Sequence, residues 1–224
     1  MQKNPLIAAS LICSNPLNLD KDIDEILKGK AEFIHFDVMD GQFVPRYGLY
    51  PEILTYLKKK SDISVDVHMM VQNPEDYIDD FKNAGADYYN FHIEATSHAH
   101  RIIKKVQNAG MKPGVALNPA TSLSTLDYII NDIKMVVLMA INPGIVGHKL
   151  IPNMLEKISE LREFSKKKGN NELLIQIDGG VTFETGKSMI DAGADILVCG
   201  TGTIFRPQED TISNKIIEFR KLFK

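Results

Sequence analysis

Eight short apolar runs rich in β-forming residues follow one another along the chain, at 6–10, 32–37, 63–68, 87–92, 113–117, 135–140, 173–178 and 195–199. Several are apolar at nearly every position, the pattern of parallel strands covered on both faces. The intervening stretches carry the helical period instead. Ile23, Ile26 and Leu27 share one face, as do Tyr77, Ile78 and Phe81, then Ile102, Ile103 and Val106, then Leu155, Ile158 and Leu161. Pro51, Pro74 and Pro152 stand where first-turn prolines belong. The segments Asn83-Ala-Gly85, Asn108-Ala-Gly110 and Asp191-Ala-Gly193 recur just before strands, where a left-handed glycine ends a helix. Successive run ends fall 21 to 38 residues apart, the length of one βα unit, and a final helix is expected over 215–223. Eight such units in sequence predict an α/β fold, a closed (β/α)8 barrel filling residues 1–224 as one domain. A doubly wound open sheet fits less well. It usually has fewer strands, and the first run here lacks a glycine-rich dinucleotide turn.

Composition narrows the class without changing that picture. The 224 residues are 44% hydrophobic and 25% charged, which excludes a disordered tail, a collagen-like fibre and a disulfide scaffold. No run approaches eighteen apolar residues, so no membrane-spanning helix is expected. The opening MQKNPLIAAS makes a poor secretory signal. The net charge of −3 is spread along the chain with no basic stripe, against a nucleic-acid partner. The dense basic runs, 58–60 and 166–168, fall near expected helix ends, where they complement the dipole and stay solvated. Cys13 and Cys199 suit free thiols in a reducing cytoplasm, and they are expected on the neighbouring first and last strands.

In such barrels the chemistry sits at the carboxyl ends of the strands. Those ends read Ser10, His35 with Asp37, His68, His92 with Glu94, Asn118, Asn142, Asp178-Gly179-Gly180 and Gly200-Thr201-Gly202. His35 and Asp37 are two apart on one strand and point the same way. With His68 and Asp178 they make two imidazoles and two carboxylates, a set suited to zinc, iron, cobalt or manganese rather than calcium or magnesium. His98-Ala-His100 opens a helix, and both imidazoles are expected at the surface. The glycines after the seventh and eighth runs let a phosphate approach backbone N–H groups, and Pro143-Gly144-Ile-Val-Gly147 is placed to close over the same site. Asp37 and Asp178 stand across the mouth from one another. Carboxylates on opposite faces of a bound sugar can exchange one carbon-bound proton and invert a centre beside a carbonyl. The same two residues serve equally as metal ligands alone.

Taken together, His35-Phe-Asp-Val-Met-Asp-Gly-Gln-Phe-Val-Pro45, Asp66-Val-His-Met-Met70, His92-Ile-Glu94, Leu117-Asn-Pro-Ala-Thr121, Met139-Ala-Ile-Asn-Pro-Gly144 and Asp178-Gly-Gly-Val181 resemble the ribulose-phosphate 3-epimerase family along nearly the whole chain. The resemblance implies a TIM barrel of the ribulose-phosphate-binding type that interconverts D-ribulose 5-phosphate and D-xylulose 5-phosphate through a cis-enediolate. It implies a divalent metal, Zn2+ or Fe2+ with Mn2+ or Co2+ as alternatives, held by His35, Asp37, His68 and Asp178. Asp37 and Asp178 would be the acid and base. Ser10, His68, Met39, Met70, Met139, Gly144, Gly147, Gly179, Gly180, Gly200 and Thr201 would contact the ketose phosphate, and the protein would be a dimer or larger homo-oligomer.

Some positions depart from the family pattern. Pro143-Gly-Ile-Val-Gly-His148 replaces Pro-Gly-Phe-Gly-Gly-Gln, so Val146 stands where a glycine is usual. Arg46 replaces an asparagine, and Thr201 a serine. Ser10-Leu-Ile-Cys13, Thr201 and Ile151-Pro-Asn-Met-Leu155 look more like the related D-allulose-6-phosphate 3-epimerases, which invert the same centre on a longer ketose. A barrel lyase of the decarboxylase and hexulose-phosphate synthase group would carry D-x-K-x-x-D where this chain has Asp66-Val-His68-Met-Met-Val71. A non-catalytic sugar-phosphate sensor would be expected to lack one of the carboxylates, and both are present.

Overall fold

The computed structural model describes residues 4–144, 149–206 and 210–223. Eight parallel strands close in sequence order into a barrel: β1 Leu6–Ser10, β2 Phe33–Met39, β3 Ser64–Met70, β4 Tyr88–His92, β5 Lys112–Leu117, β6 Met135–Met139, β7 Leu174–Asp178 and β8 Ile196–Cys199. All seven residues of β2 are buried, as the continuous apolar run requires of a strand with a side chain layer on each face. Ile34, Phe36, Val65 and Val67 pack outward under the helices. Ala8, Phe33, Tyr88, Met135, Val137 and Ile196 form a separate cluster inside the barrel. The Phe33 and Tyr88 rings meet edge to face there, with centroids 5.7 Å apart, and fill its amino-terminal end. That leaves the opposite end to polar side chains.

Among the described residues seven α-helices surround the barrel: α1 Leu19–Lys28, α2 Pro51–Lys60, α3 Ile78–Ala84, α4 Ala99–Asn108, α5 Met154–Lys167, α6 Gly186–Asp191 and α7 Ile212–Arg220. Gly85, Gly110 and Gly193, each just before a strand, all have positive φ, as their place in the sequence predicts. The fifth βα unit differs from expectation. Between β5 and β6 the chain makes only a 3-10 turn, Leu123–Leu126, followed by further turns. Leu126, Ile129, Ile130 and Ile133 nevertheless bury against the barrel, so the spacing of apolar residues does the covering without a full helix. Ser122 caps the 3-10 turn by accepting the Ser124 N–H, a local bond that competes with helix initiation.

Smaller departures have similar local causes. Pro51 is the first residue of α2, but Pro74 opens a 3-10 turn and Pro152 precedes the cap of α5. Tyr77 ends that 3-10 turn and is exposed, off the buried face formed by Ile78 and Phe81. The basic run at the end of α2 is only partly solvated. Lys58 pairs with Asp87 at 2.7 Å and also donates to the Ile63 carbonyl, while Lys60 pairs with Asp20 and Asp24. Both cysteines are free. Cys13 lies beyond β1 in a 3-10 turn and lines the cavity at the barrel mouth, whereas Cys199 of β8 is buried in the layer beneath the helices. Burial pushes both thiols up, Cys199 to about 12, so neither is a thiolate at neutral pH. Among the described residues no helix is long and apolar enough to cross a membrane.

Candidate active site and metal centre

Strand register decides which polar residues meet. His35 of β2 lies beside Asp66 of β3, Asp37 beside His68, and Met39 beside Met70. On the far side Met139 of β6 pairs with Asp178 of β7. Residues two apart on a strand share a face, so β2 and β3 each send two polar groups and one methionine inward at the carboxyl end.

His35, Asp37, His68 and Asp178 converge, each offering one ligand atom within 4.8 Å of the other three. His35 Nε2 lies 3.3 Å from Asp37 Oδ1, 3.3 Å from His68 Nδ1 and 3.8 Å from Asp178 Oδ2. His68 Nδ1 lies 3.4 Å from Asp37 Oδ1 and 3.5 Å from Asp178 Oδ2. Four donors bonded tetrahedrally at about 2.0–2.1 Å, the usual distance for zinc with nitrogen or oxygen, stand roughly 3.3–3.4 Å apart. These residues therefore fit a divalent transition ion in spacing as well as in donor type.

Three of the four, Asp37, His35 and His68, are held from behind. Ser10 Oγ donates to Asp37 Oδ2 at 2.9 Å, which leaves Oδ1 to face the imidazoles. Asp66, fully buried, accepts from His35 Nδ1 at 2.6 Å. Burial disfavours both charges of this pair and pushes the Asp66 carboxyl up. For His35 burial works against the proton, yet the Asp66 and Asp37 carboxylates outweigh it and hold the imidazole well above the ordinary histidine range. His68 Nε2 meets His92 Nε2 at 2.9 Å, and His92 Nδ1 meets Glu94 Oε2 at 3.1 Å. Burial pushes the His92 imidazole down to about 4, so it is neutral at pH 7. Glu94 is pushed up by its partial burial, but hydrogen bonds from His92, Thr121 and the Asn118 N–H bring it down to about 2.

Above this cluster opens a cavity of about 600 Å³. Asp37 and Asp178 line it together with Ser10, Met39, Met70 and Met139, while His35 and His68 are fully buried behind them. A bound molecule thus meets carboxylates and thioethers, not imidazoles. Gly179, Gly180, Gly200, Thr201 and Gly144 line the same cavity, as do Arg46 and Lys149. Gly179 and Gly180 have φ of +91° and +66°. A Cβ at Gly179 would fall 2.3 Å from the Ile141 side chain, and one at Gly180 2.9 Å from the Leu150 backbone. Only glycine fits both positions. Gly147, Val146 and His148 lie outside the described residues. His98 and His100 are exposed at the start of α4, away from the cluster, as expected of surface residues.

Asp66, His92 and Glu94 carry no role in the reading of the sequence, although each lies two residues from another histidine or at a strand end. The period-two pairs Asp66-x-His68 and His92-x-Glu94 repeat the form of His35-x-Asp37, and that repetition is the available signal.

Histidine and carboxylate groups gathered under a cavity at the carboxyl ends of eight parallel strands define an enzyme of the (β/α)8 barrel class. The model of the ribulose-phosphate 3 epimerase family matches residues 6–205. The chain is 40% identical over 195 residues to the ribulose-phosphate 3-epimerase of Bacillus subtilis, covering 87% of this chain and 90% of that one. It is 37% identical to the chloroplastic ribulose-5-phosphate-3-epimerase of Arabidopsis thaliana, over 88% of this chain and 70% of that one. The chain belongs to the ribulose-phosphate 3-epimerase family, and is thus an epimerase, an isomerase acting on a small sugar phosphate. Similar solved structures include KGPDC from Streptococcus mutans in complex with D-R5P, with a TM-score of 0.76, 14% identity and 99% coverage of both chains. Another is 3-hexulose-6-phosphate synthase, with a TM-score of 0.70, 16% identity, and coverage of 97% of this chain and 99% of that one. These likenesses are of fold alone.

The raised proton affinity of His35 gives metal binding a pH dependence with a definite sign. Below its raised pKa the metal-free imidazole holds a proton that a metal ion must displace from Nε2. Affinity for a divalent ion is therefore expected to rise about tenfold from pH 6 to pH 7, with about one proton released. Calorimetric titration in two buffers of different ionisation enthalpy measures that release. Equal affinities at the two pH values, with no proton released, would contradict it.

Proposed function

We propose that the enzyme interconverts D-ribulose 5-phosphate and D-xylulose 5-phosphate by proton transfer at C3 between two carboxylates, Asp37 and Asp178. The observation that carries this reading is that both line the cavity from strands on opposite sides of the mouth while flanking the same pair of buried imidazoles. With C3 of the ketose between them, one carboxylate removes the C3 proton and the electron pair moves into the C2 carbonyl, giving a cis-enediolate. The other, as the carboxylic acid, returns a proton to C3 from the far face. The configuration inverts and no atom is gained or lost. In the reverse direction the two residues exchange roles.

The rest of the cavity serves that exchange. Ser10 fixes the Asp37 carboxylate through its hydrogen bond to Oδ2. Met39, Met70 and Met139 give the reacting carbon a dry, polarizable surround that neither donates nor removes protons. Gly179, Gly180, Gly200 and Thr201, with Gly144, hold the phosphate through backbone N–H groups, as glycine loops do at this end of such barrels. His35, Asp37, His68 and Asp178 hold the divalent ion, Zn2+ or Fe2+. When bound, it supplies a Lewis acid that stabilises negative charge on the substrate oxygens. One barrel thus carries the whole activity.

The comparison that tests the substrate is kcat/KM on D-ribulose 5-phosphate against D-allulose 6-phosphate. A value larger on the pentulose by tenfold or more, about 1.4 kcal/mol of transition-state binding, is expected. Preference for the hexulose would overturn the pentulose reading. It would make Arg46 and Thr201, both at the cavity, the residues to exchange next.

A further inference from the structure

The carboxylate of Glu94 can only accept hydrogen bonds, and this fixes every proton along a chain that ends at the metal-ligand cluster. Glu94 Oε2 faces His92 Nδ1 at 3.1 Å, so His92 carries its proton on Nδ1 and leaves Nε2 bare. That bare nitrogen lies 2.9 Å from His68 Nε2, which must then be the N–H that donates to it. On His68 the nitrogen left without a proton is Nδ1, the atom that faces Asp37 and Asp178 at 3.4 and 3.5 Å. His92 is fully buried, and the Phe43 ring packs on it with centroids 4.7 Å apart, so water does not offer it another partner.

Glu94 is itself pinned. Its Oε1 accepts the Asn118 N–H at 2.8 Å and the Thr121 hydroxyl, both from the loop after β5. Lys157 of α5 ties the same loop by donating to the carbonyls of Asn118, Pro119 and Thr121, at 3.0, 2.9 and 2.6 Å. A ligand that enters with the wrong tautomer must first exchange a proton, and one free to rotate loses orientation entropy on binding.

We propose that His92 and Glu94 are positioning residues: they lock His68 in the Nε2–H tautomer and direct its bare Nδ1 into the cluster, anchored on the loop after β5. This rests on the reading of His35, Asp37, His68 and Asp178 as the metal site, and the test separates the two. Co2+ binding to the purified protein, followed by visible absorption, is compared in wild type, His92→Leu and His92→Gln. Leucine cannot accept from His68, so its Kd is expected to rise by about 10- to 100-fold. The glutamine carbonyl accepts and its amide donates to Glu94, so His92→Gln should bind more like wild type than like His92→Leu.

Long-range 1H–15N correlation spectra of the wild-type protein with 15N-histidine, loaded with Zn2+, read the tautomers directly, even if His92→Leu does not fold. A proton on His68 Nε2 and on His92 Nδ1 is expected. Wild-type affinity in His92→Leu, equal losses in the leucine and glutamine variants, or a proton on His92 Nε2 would each overturn the relay while leaving the metal site standing. A wild-type protein that binds no Co2+ would remove the metal site, and the relay with it.

Discussion

Asp37→Asn and Asp178→Asn, each assayed with saturating divalent metal, are expected to lower kcat for epimerisation by about 10²- to 10⁴-fold, the usual worth of a positioned acid or base. Asparagine keeps the volume and the hydrogen-bonding shape of aspartate but does not take up a proton at the pH of assay. Each variant loses one base and retains the other. Asp37→Asn should therefore still exchange the C3 proton of one epimer with solvent, and Asp178→Asn that of the other, without inversion in either case. Because both carboxylates also belong to the four-residue cluster, each change is expected to weaken metal binding. Saturating metal separates that loss from the loss of chemistry. A rate within tenfold of wild type in either variant, measured by coupled assay of the epimer formed, would rule out the two-base scheme.

The second large effect is expected at a residue that touches neither substrate nor metal. Asp66 is fully buried and is the partner of His35 Nδ1 at 2.6 Å. Asp66→Leu leaves the His35 Nδ1–H facing an apolar side chain, a buried donor without its acceptor, while Asp37 still faces Nε2 in the metal-free protein. Breaking a buried pair in this way costs about 3–5 kcal/mol of stability. With metal bound the imidazole is neutral, but its Nδ1–H has lost its acceptor and its ring its orientation. Metal affinity should then fall about 10- to 100-fold. Asp66→Asn, whose carbonyl oxygen accepts the same N–H, should recover much of the affinity and less of the stability. Urea unfolding of the metal-free proteins measures the first effect and Co2+ titration the second. An Asp66→Leu midpoint and affinity both equal to wild type would contradict the role given to this pair.

The barrel was legible because each strand is an apolar run bounded by a helix-ending glycine or a polar turn. The expected and observed strands differ by no more than two residues at either end. The segment after β5 was not legible as a 3-10 turn, since its apolar spacing at Leu126, Ile130 and Ile133 is the same that a helix would show. The four candidate ligands could be gathered from strand ends alone. Their support could not, because it depends on register between strands. That His35 lies beside Asp66, and Asp37 beside His68, is set by a pairing offset that no local pattern records. Glu94 shows the same limit. Its anchors, Asn118 and Thr121, are distant in sequence and come together only when β4 and β5 pair.

Epimerisation of D-ribulose 5-phosphate in deuterated water, followed by NMR at C3, tests the exchange between the two carboxylates most directly. A proton removed by one carboxylate and returned by the other predicts D-xylulose 5-phosphate carrying deuterium at C3 from the first turnovers. Xylulose 5-phosphate that keeps its original C3 proton, or no epimer formed at all, would contradict it.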